Sequence, residues 1–209
     1  MALRIAISLV TGYLLGSVVV AILISRFIFK EDVRTKGSGN SGATNAARVY
    51  GLPFGLLTFA GDFLKGIIAC AAGWLIGGSN ALEQLPFGGY WCMAAAGFAC
   101  MIGHCFPVFF RFKGGKGVSV GAALALMLDW RVFLIGIGVF LIMAIVTKRV
   151  SIGSILGSAA VGVSACLLRS ELPLKLMGVF AAVIVIVRHY SNIGRIINGT
   201  EKPFTLGKH

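Results

Sequence analysis

Charged side chains are scarce in this sequence. Only 12% of its 209 residues are Asp, Glu, Lys or Arg, and 57% are hydrophobic; a soluble domain carries about 25% charge. Three stretches hold no charged residue at all: Ile5–Ser25, Gln84–Phe110 and Val150–Leu168, of 21, 27 and 19 residues. The hydrocarbon core of a bilayer is about 30 Å thick and takes about 20 apolar residues of helix to cross. With a mean hydropathy of +0.92, the composition excludes soluble, fibrous and disordered classes. Cys-x-x-Cys is also missing. The five cysteines, Cys70, Cys92, Cys100, Cys105 and Cys166, stand in apolar segments and read as small buried hydrophobes, with no basis for a zinc site. No internal repeat or low-complexity tract is present, and no cleavable signal peptide is evident. The first apolar stretch is longer than a signal's hydrophobic region, and its basic flank lies downstream, as in an anchor.

What is present is an excess of positive charge, 19 Lys/Arg against seven Asp/Glu. Its placement gives a topology. Less sharply bounded apolar segments at about 50–78, 117–130, 132–147 and 173–188 bring the expected spans to seven, two of them short. Fourteen of the 19 basic residues then fall in 26–48, 111–116, 148–149 and 188–209, and only Arg4, Arg131, Arg169 and Lys175 fall in the other loops. By the positive-inside rule the first set is cytoplasmic, with the N-terminus outside and the C-terminus inside. The expected fold is an all-α integral membrane protein, one domain over 1–209, with cytoplasmic loops near 30–48, 111–118, 147–153 and 188–209. Asp62 and Lys65 lie inside the second span at i, i+3, where charges are costly and usually paired; an ion pair is expected.

Three cytoplasmic stretches differ from the rest. Gly37-Ser-Gly-Asn-Ser-Gly-Ala-Thr-Asn45 runs on to Arg48, Lys113-Gly-Gly-Lys-Gly117 follows Gly103-His-Cys-Phe-Pro107, and Arg188-His-Tyr-Ser-Asn-Ile-Gly-Arg195 precedes Gly199-Thr-Glu201. Each sets glycine, small hydroxyl or amide side chains and Arg or Lys beside an apolar span. Gly37-x-Gly39-x-x-Gly42 has the dinucleotide spacing but lacks the strand such a site needs. The Lys113–Gly117 stretch is not a complete P-loop, because Val118 stands where Ser or Thr is required. Both still suit anions, since glycine lets backbone N–H groups converge on an anion and a helix N-terminus adds positive potential. On a helix, His189 and Asn192 share a face. His104, near the inner end of the third span, reads as a helix-end hydrogen-bonding residue.

These motifs, in this order, resemble the three signatures of the bacterial acyl-phosphate:glycerol-3-phosphate acyltransferase (PlsY) family, over essentially the whole chain. The resemblance implies a multi-pass enzyme of the bacterial inner membrane whose site faces the cytoplasm. It would transfer a fatty acyl group from acyl phosphate to the 1-hydroxyl of sn-glycerol 3-phosphate. The products would be lysophosphatidic acid and phosphate, in the first step of phospholipid synthesis. It implies Arg48, Lys116, His189 and Asn192 on the glycerol 3-phosphate and Ser38 near the reacting groups. Asn40, Thr44, Asn45, Gly114, Gly115 and Gly117 would hold the donor phosphate, and Ser154 is a further candidate. Which glycine loop takes which phosphate stays open, as does the proton acceptor: His189 or a substrate phosphate. No metal or cofactor is expected, since an acyl phosphate is already activated. The expected partners are the two substrates and membrane lipid, with no nucleic acid and a monomeric state. Also absent is His-x4-Asp, the mark of acyl-CoA and acyl-ACP acyltransferases: Phe109 and Gly194 stand five residues beyond His104 and His189, where the Asp would fall. The alternative is a transporter or channel for an organic phosphate.

Overall fold

A computed structural model of the chain describes residues 1–78 and 88–205. Helix is the only extended regular structure among them. The ten α-helices are α1 (Ala2–Ser17), α2 (Val20–Phe27), α3 (Ala43–Tyr50), α4 (Leu52–Gly77), α5 (Gly88–Cys105), α6 (Val118–Leu128), α7 (Trp130–Thr147), α8 (Val150–Leu168), α9 (Leu172–Arg188) and α10 (Tyr190–Ile197). Two single 3₁₀ turns, Val33–Thr35 and Val108–Phe110, join them. The expected start of the third span at Gln84 and the residues from 206 onward lie outside the described residues.

Five segments are long and apolar enough to cross a membrane: Ala2–Phe27, α4, Gly88–Phe110, α7 and α8. A sixth is the pair α9 and α10, bent by 58° at His189. The expected Ile5–Ser25 span is thus α1 followed by α2, interrupted at Val18 and Val19, whose backbone is extended. The expected 117–130 span is α6, only 11 residues long. At 1.5 Å per residue it extends about 16 Å, about half a hydrocarbon core. It packs against α4, α5, α7, α8 and α9, so its apolar residues face protein on most sides. The stretch 26–48, expected as a loop, ends instead in α3.

α5 lies at the centre and α7 at the edge, 67% and 11% buried. Small residues bring α1 and α5 together, as membrane helices require in place of a hydrophobic driving force. A Cβ on Gly16 would overlap the Cys100 carbonyl, and one on Gly12 the Ala96 carbonyl. Four cysteines are buried as expected. Cys166 is exposed on α8, which corrects that reading; an exposed face of a membrane helix is as apolar as a buried one, so hydrophobicity does not separate them.

Asp62 and Lys65 form the expected pair, Nζ to Oδ1 2.7 Å, both buried. Lys65 Nζ also donates to the Val18 carbonyl at 2.6 Å and lies 3.0 Å from His104 Nδ1. The ammonium therefore caps a carbonyl freed by the break between α1 and α2, and joins that break to α4 and α5.

Gly16→Ala should destabilise the protein by about 1–3 kcal/mol, the cost of overpacking. Gly138→Ala, with open space around its Cβ, should be neutral or slightly stabilising through helix propensity. Thermal unfolding of the two variants in detergent compares them.

Candidate active site

The second and third motifs meet through a buried carboxylate. Gly199, at φ +68°, ends α10 and turns the chain back, so that the N–H groups of Thr200 and Glu201 bond to the Arg195 carbonyl. Glu201 is thereby aimed inward. Its Oε1 accepts from Ser151 Oγ at 2.6 Å and from Asn192 Nδ2 at 2.7 Å, and its Oε2 accepts from Arg195 Nε at 2.6 Å. Burial pushes the Glu201 carboxyl up, but these three donors outweigh it and hold the group below its ordinary range. With Nδ2 engaged, the Asn192 amide is fixed in orientation and its Oδ1 accepts a short hydrogen bond from Lys116 Nζ.

Lys116 is half-buried at the last step of the glycine turn before α6. Gly117, at φ +84°, occupies the left-handed region that glycine tolerates best. Burial, then the neighbouring Arg195, Arg188 and Arg48, lower the Lys116 ammonium to about 8, with Glu201 opposing. The turn lies directly on the end of α5. Gly114 and Gly115 donate to the carbonyls of Cys105 and His104 at 3.2 and 3.0 Å, and a Cβ on Gly114 would strike the His104 carbonyl. From the other side Arg188, stacked over Phe106 at 4.9 Å, donates to the Gly115 carbonyl at 3.1 and 3.3 Å.

His189 is the residue just beyond α9, and it is buried. Its Nδ1 lies 2.7 Å from the Val185 carbonyl, an acceptor only, so Nδ1 carries the proton and Nε2 presents a lone pair. Burial, then the Lys116 and Arg188 cations, push the ring down to about 4. It is neutral at pH 7.

Ahead of the first motif, Arg34 ties its loop to the segment leading to Lys116: its Nη1 donates to the carbonyls of Phe110 and Lys113 at 2.9 Å each. Asn45, expected on the donor phosphate, is engaged otherwise. Its Oδ1 accepts from Ser38 N–H at 2.8 Å, and its Nδ2 points among the carbonyls of Val33, Lys36 and Asn40. A side chain so placed and 1% exposed shapes the loop and has no surface for a ligand. Ser38 is exposed at the loop tip, with Asn40 and Thr44 half-buried around the start of α3. Arg48 lies over the Phe204 ring at 6.0 Å. No hydrogen bond or ion pair joins Ser38, Asn40 or Thr44 to the Lys116 cluster among the described residues. Ser154 is buried, its hydroxyl donating to the Val150 carbonyl at 2.9 Å; the α8 serine that reaches the cluster is Ser151, one turn earlier. Ser151, Arg188, Arg195 and Glu201 were not among the expected site residues. Glu201 did carry a signal, as the sole acid after Glu171 among several Lys and Arg.

The cluster offers one neutral imidazole lone pair, a half-buried ammonium, several guanidinium groups and a glycine turn opening into a helix N-terminus. Such a set is chemically suited to hold a phosphate and to orient a hydroxyl. A family model described as glycerol-3-phosphate acyltransferase matches residues 6–199. The glycerol-3-phosphate acyltransferase of Finegoldia magna is 37% identical over 198 residues, covering 94% of this chain and 93% of that one. The one from Synechococcus elongatus is 38% identical over 190 residues, covering 91% and 90%. Two crystal structures of PlsY, an integral membrane glycerol 3-phosphate acyltransferase, superpose on this fold. The glycerol 3-phosphate form gives a TM-score of 0.85 at 31% identity over 96% of each chain. The lysophosphatidic acid form gives 0.82 at 30%, over 96% and 95%.

Glu201→Ala should lower stability by about 1.5–3 kcal/mol, the scale of hydrogen bonds to a charged group, and release Asn192. Because the folded Glu201 titrates below its ordinary value, its contribution is full at neutral pH and fades as pH falls through the folded value. Unfolding of wild type and variant between pH 7 and pH 3 should therefore converge at the acid end.

Proposed function

The chain belongs to the glycerol-3-phosphate acyltransferase family, and we propose that its acyl donor is an acyl phosphate and its site the cluster around Lys116 and Asn192. It is an integral membrane enzyme that acylates glycerol 3-phosphate in phospholipid synthesis. The observation that carries the site is the bonding of Lys116 from one motif to Asn192 from another, with the Asn192 amide fixed by the buried Glu201 carboxylate and His189 three residues away on the same turn.

In this reading Lys116, Arg48 and Asn192 bind the phosphate of glycerol 3-phosphate, and His189 Nε2 accepts a hydrogen bond from its 1-hydroxyl. Ser38, Asn40, Thr44 and the N–H groups of Gly114–Gly117 line the side where the donor phosphate sits. The hydroxyl oxygen attacks the acyl carbon, the acyl–phosphate C–O bond breaks, and inorganic phosphate leaves with lysophosphatidic acid as the other product. Charge builds on phosphate oxygens and the carbonyl oxygen, where fixed cations and N–H groups act most strongly. With Nδ1 bonded to the Val185 carbonyl, His189 presents Nε2 to the hydroxyl as a positioning acceptor, and the proton passes on to an oxygen of the leaving phosphate. Residues 1–209 act as one domain and one monomer in the bacterial inner membrane, with α6 packed among the spanning segments as a seventh, shorter element, the N-terminus outside and the site on the cytoplasmic face. The charge distribution supports this orientation.

The test is purified protein in lipid with palmitoyl phosphate and glycerol 3-phosphate. Phosphate release should require both substrates and leave lysophosphatidic acid. Glycerol 3-phosphate crossing sealed vesicles with no acyl product would favour transport instead. Lys116→Ala and His189→Ala should each reduce turnover by about 100-fold or more at equal membrane levels. Lys116 is charged below its value of about 8 and neutral above it, so the wild-type rate should fall as pH rises through 8. In Lys116→Arg that decline should vanish.

A further inference from the structure

Three ionisable side chains outside the substrate cluster meet within the helices: Asp62 and Lys65 on α4 and His104 on α5, all buried. We propose that they form a positioning device for the Lys113–Gly117 turn, in which the His104 ring, locked by Lys65, props Gly115 from beneath and so sets the place of Lys116. The proposal rests on reading that turn as part of the active site.

The geometry assigns the protons. A lysine ammonium has three N–H donors. Here Nζ donates to the Val18 carbonyl at 2.6 Å, lies 3.0 Å from His104 Nδ1 and is ion-paired with Asp62 Oδ1 at 2.7 Å. His104 Nδ1 therefore accepts, and the neutral ring carries its proton on Nε2. Asp62 Oδ1 also lies 3.6 Å from Nδ1, so ring, carboxylate and ammonium form a closed set on one edge. The opposite edge faces the turn. A Cβ built on Gly115 would overlap His104 Nε2, with Cε1 at 2.8 Å and Cδ2 at 3.2 Å, and these three ring atoms are its nearest neighbours. The same histidine's carbonyl accepts from Gly115 N–H at 3.0 Å. Backbone and ring of one residue thus fix the height of Gly115, while Arg188 holds its carbonyl from the other side. The next residue is Lys116, bonded to Asn192. A shift at Gly115 passes into Lys116 through a single peptide unit.

A purely structural triad and a positioning triad are separated by His104→Asn. The asparagine Oδ1 stands three bonds from Cα, as Nδ1 does, and can accept from Lys65, so the buried charges stay partnered. The ring edge beneath Gly115 is gone. The expected result is a melting temperature near wild type with kcat lower by about 100-fold, as a 1 Å misplacement near the chemistry produces. The KM for glycerol 3-phosphate should change little, since the Lys116 charge is still present. Gly115→Ala collides with the ring in the wild-type background and should cost a comparable factor there. In the His104→Asn background it should add almost nothing, because the two residues act as one unit. A stable His104→Asn protein with wild-type kcat, or losses that multiply across the pair, would overturn the proposal.

Should His104→Asn fail to insert, the double variant Asp62→Asn with Lys65→Met carries the same test. Removing both charges together avoids a lone buried ion, and unlocking the ring should lower kcat and leave Gly115→Ala non-additive. Wild-type kcat in that double variant would equally overturn the proposal. Lys116→Ala separates the two layers. An active Lys116→Ala overturns the site itself, whereas an inactive Lys116→Ala beside a fully active His104→Asn overturns only the positioning.

Discussion

Lys65 stands halfway along α4 with no water to receive its charge. An unpaired ion in that position would cost several kcal/mol, so the surrounding chain is arranged to supply acceptors. One comes from its own helix, one from α5 and one from the break between α1 and α2. The break is part of the solution: a continuous helix would keep the Val18 carbonyl in its own ladder. With that carbonyl fixed, α1 can approach α5 so closely that Gly12 and Gly16 meet carbonyls of Ala96 and Cys100. The end of α5 is then placed for the glycine turn that sits on it.

At the motif end of the bundle the electrostatic design is reversed. Cations are left in excess; Asp32 and Glu31 pair with Arg34 and Lys36 ahead of the first motif, while beside Lys116 the carboxylate, Glu201, is buried against Asn192 instead of facing outward. It neutralises little and orients much. Its oxygens fix the amide of Asn192 and the guanidinium of Arg195, so the donors are already aimed before an anionic substrate arrives. Preorganised donors of this kind avoid reorganisation at the moment of reaction.

Much of this was legible in the residues. Charge-free runs give the long spans because the bilayer's thickness sets a minimum length. The i, i+3 placement of Asp62 and Lys65 gives their pairing, because a helix puts those positions on one face. The three motifs point to the proposed site because their residue types suit phosphate. What was not legible depends on where chains meet in space. Asn45 looks like a ligand in its motif, yet its amide is enclosed by the loop it shapes. Ser151 and Ser154 lie three residues apart on one helix, and only the direction of α8 decides which reaches Glu201. The shortness of α6 follows from its neighbours, since a helix enclosed by protein need not match the bilayer. The partnership of His104 with Lys65 joins residues 39 apart, a separation that no local pattern encodes.

The segment after α10 is strapped down at several points: Arg149 Nε donates to the Glu201 carbonyl at 2.9 Å, and Phe204 N–H donates to the Lys148 carbonyl at 2.8 Å. Since Glu201 is the last acidic residue of the sequence and chains emerge from the ribosome N-terminus first, this has a temporal meaning. Lys116 and both glycine-rich loops are made before the residue that orients Asn192. A nascent chain can therefore gather phosphates on its cationic face but cannot yet align them. Alignment of the site thus waits until the chain has been made past residue 201, so half-inserted chains have no assembled chemistry to misuse their substrates.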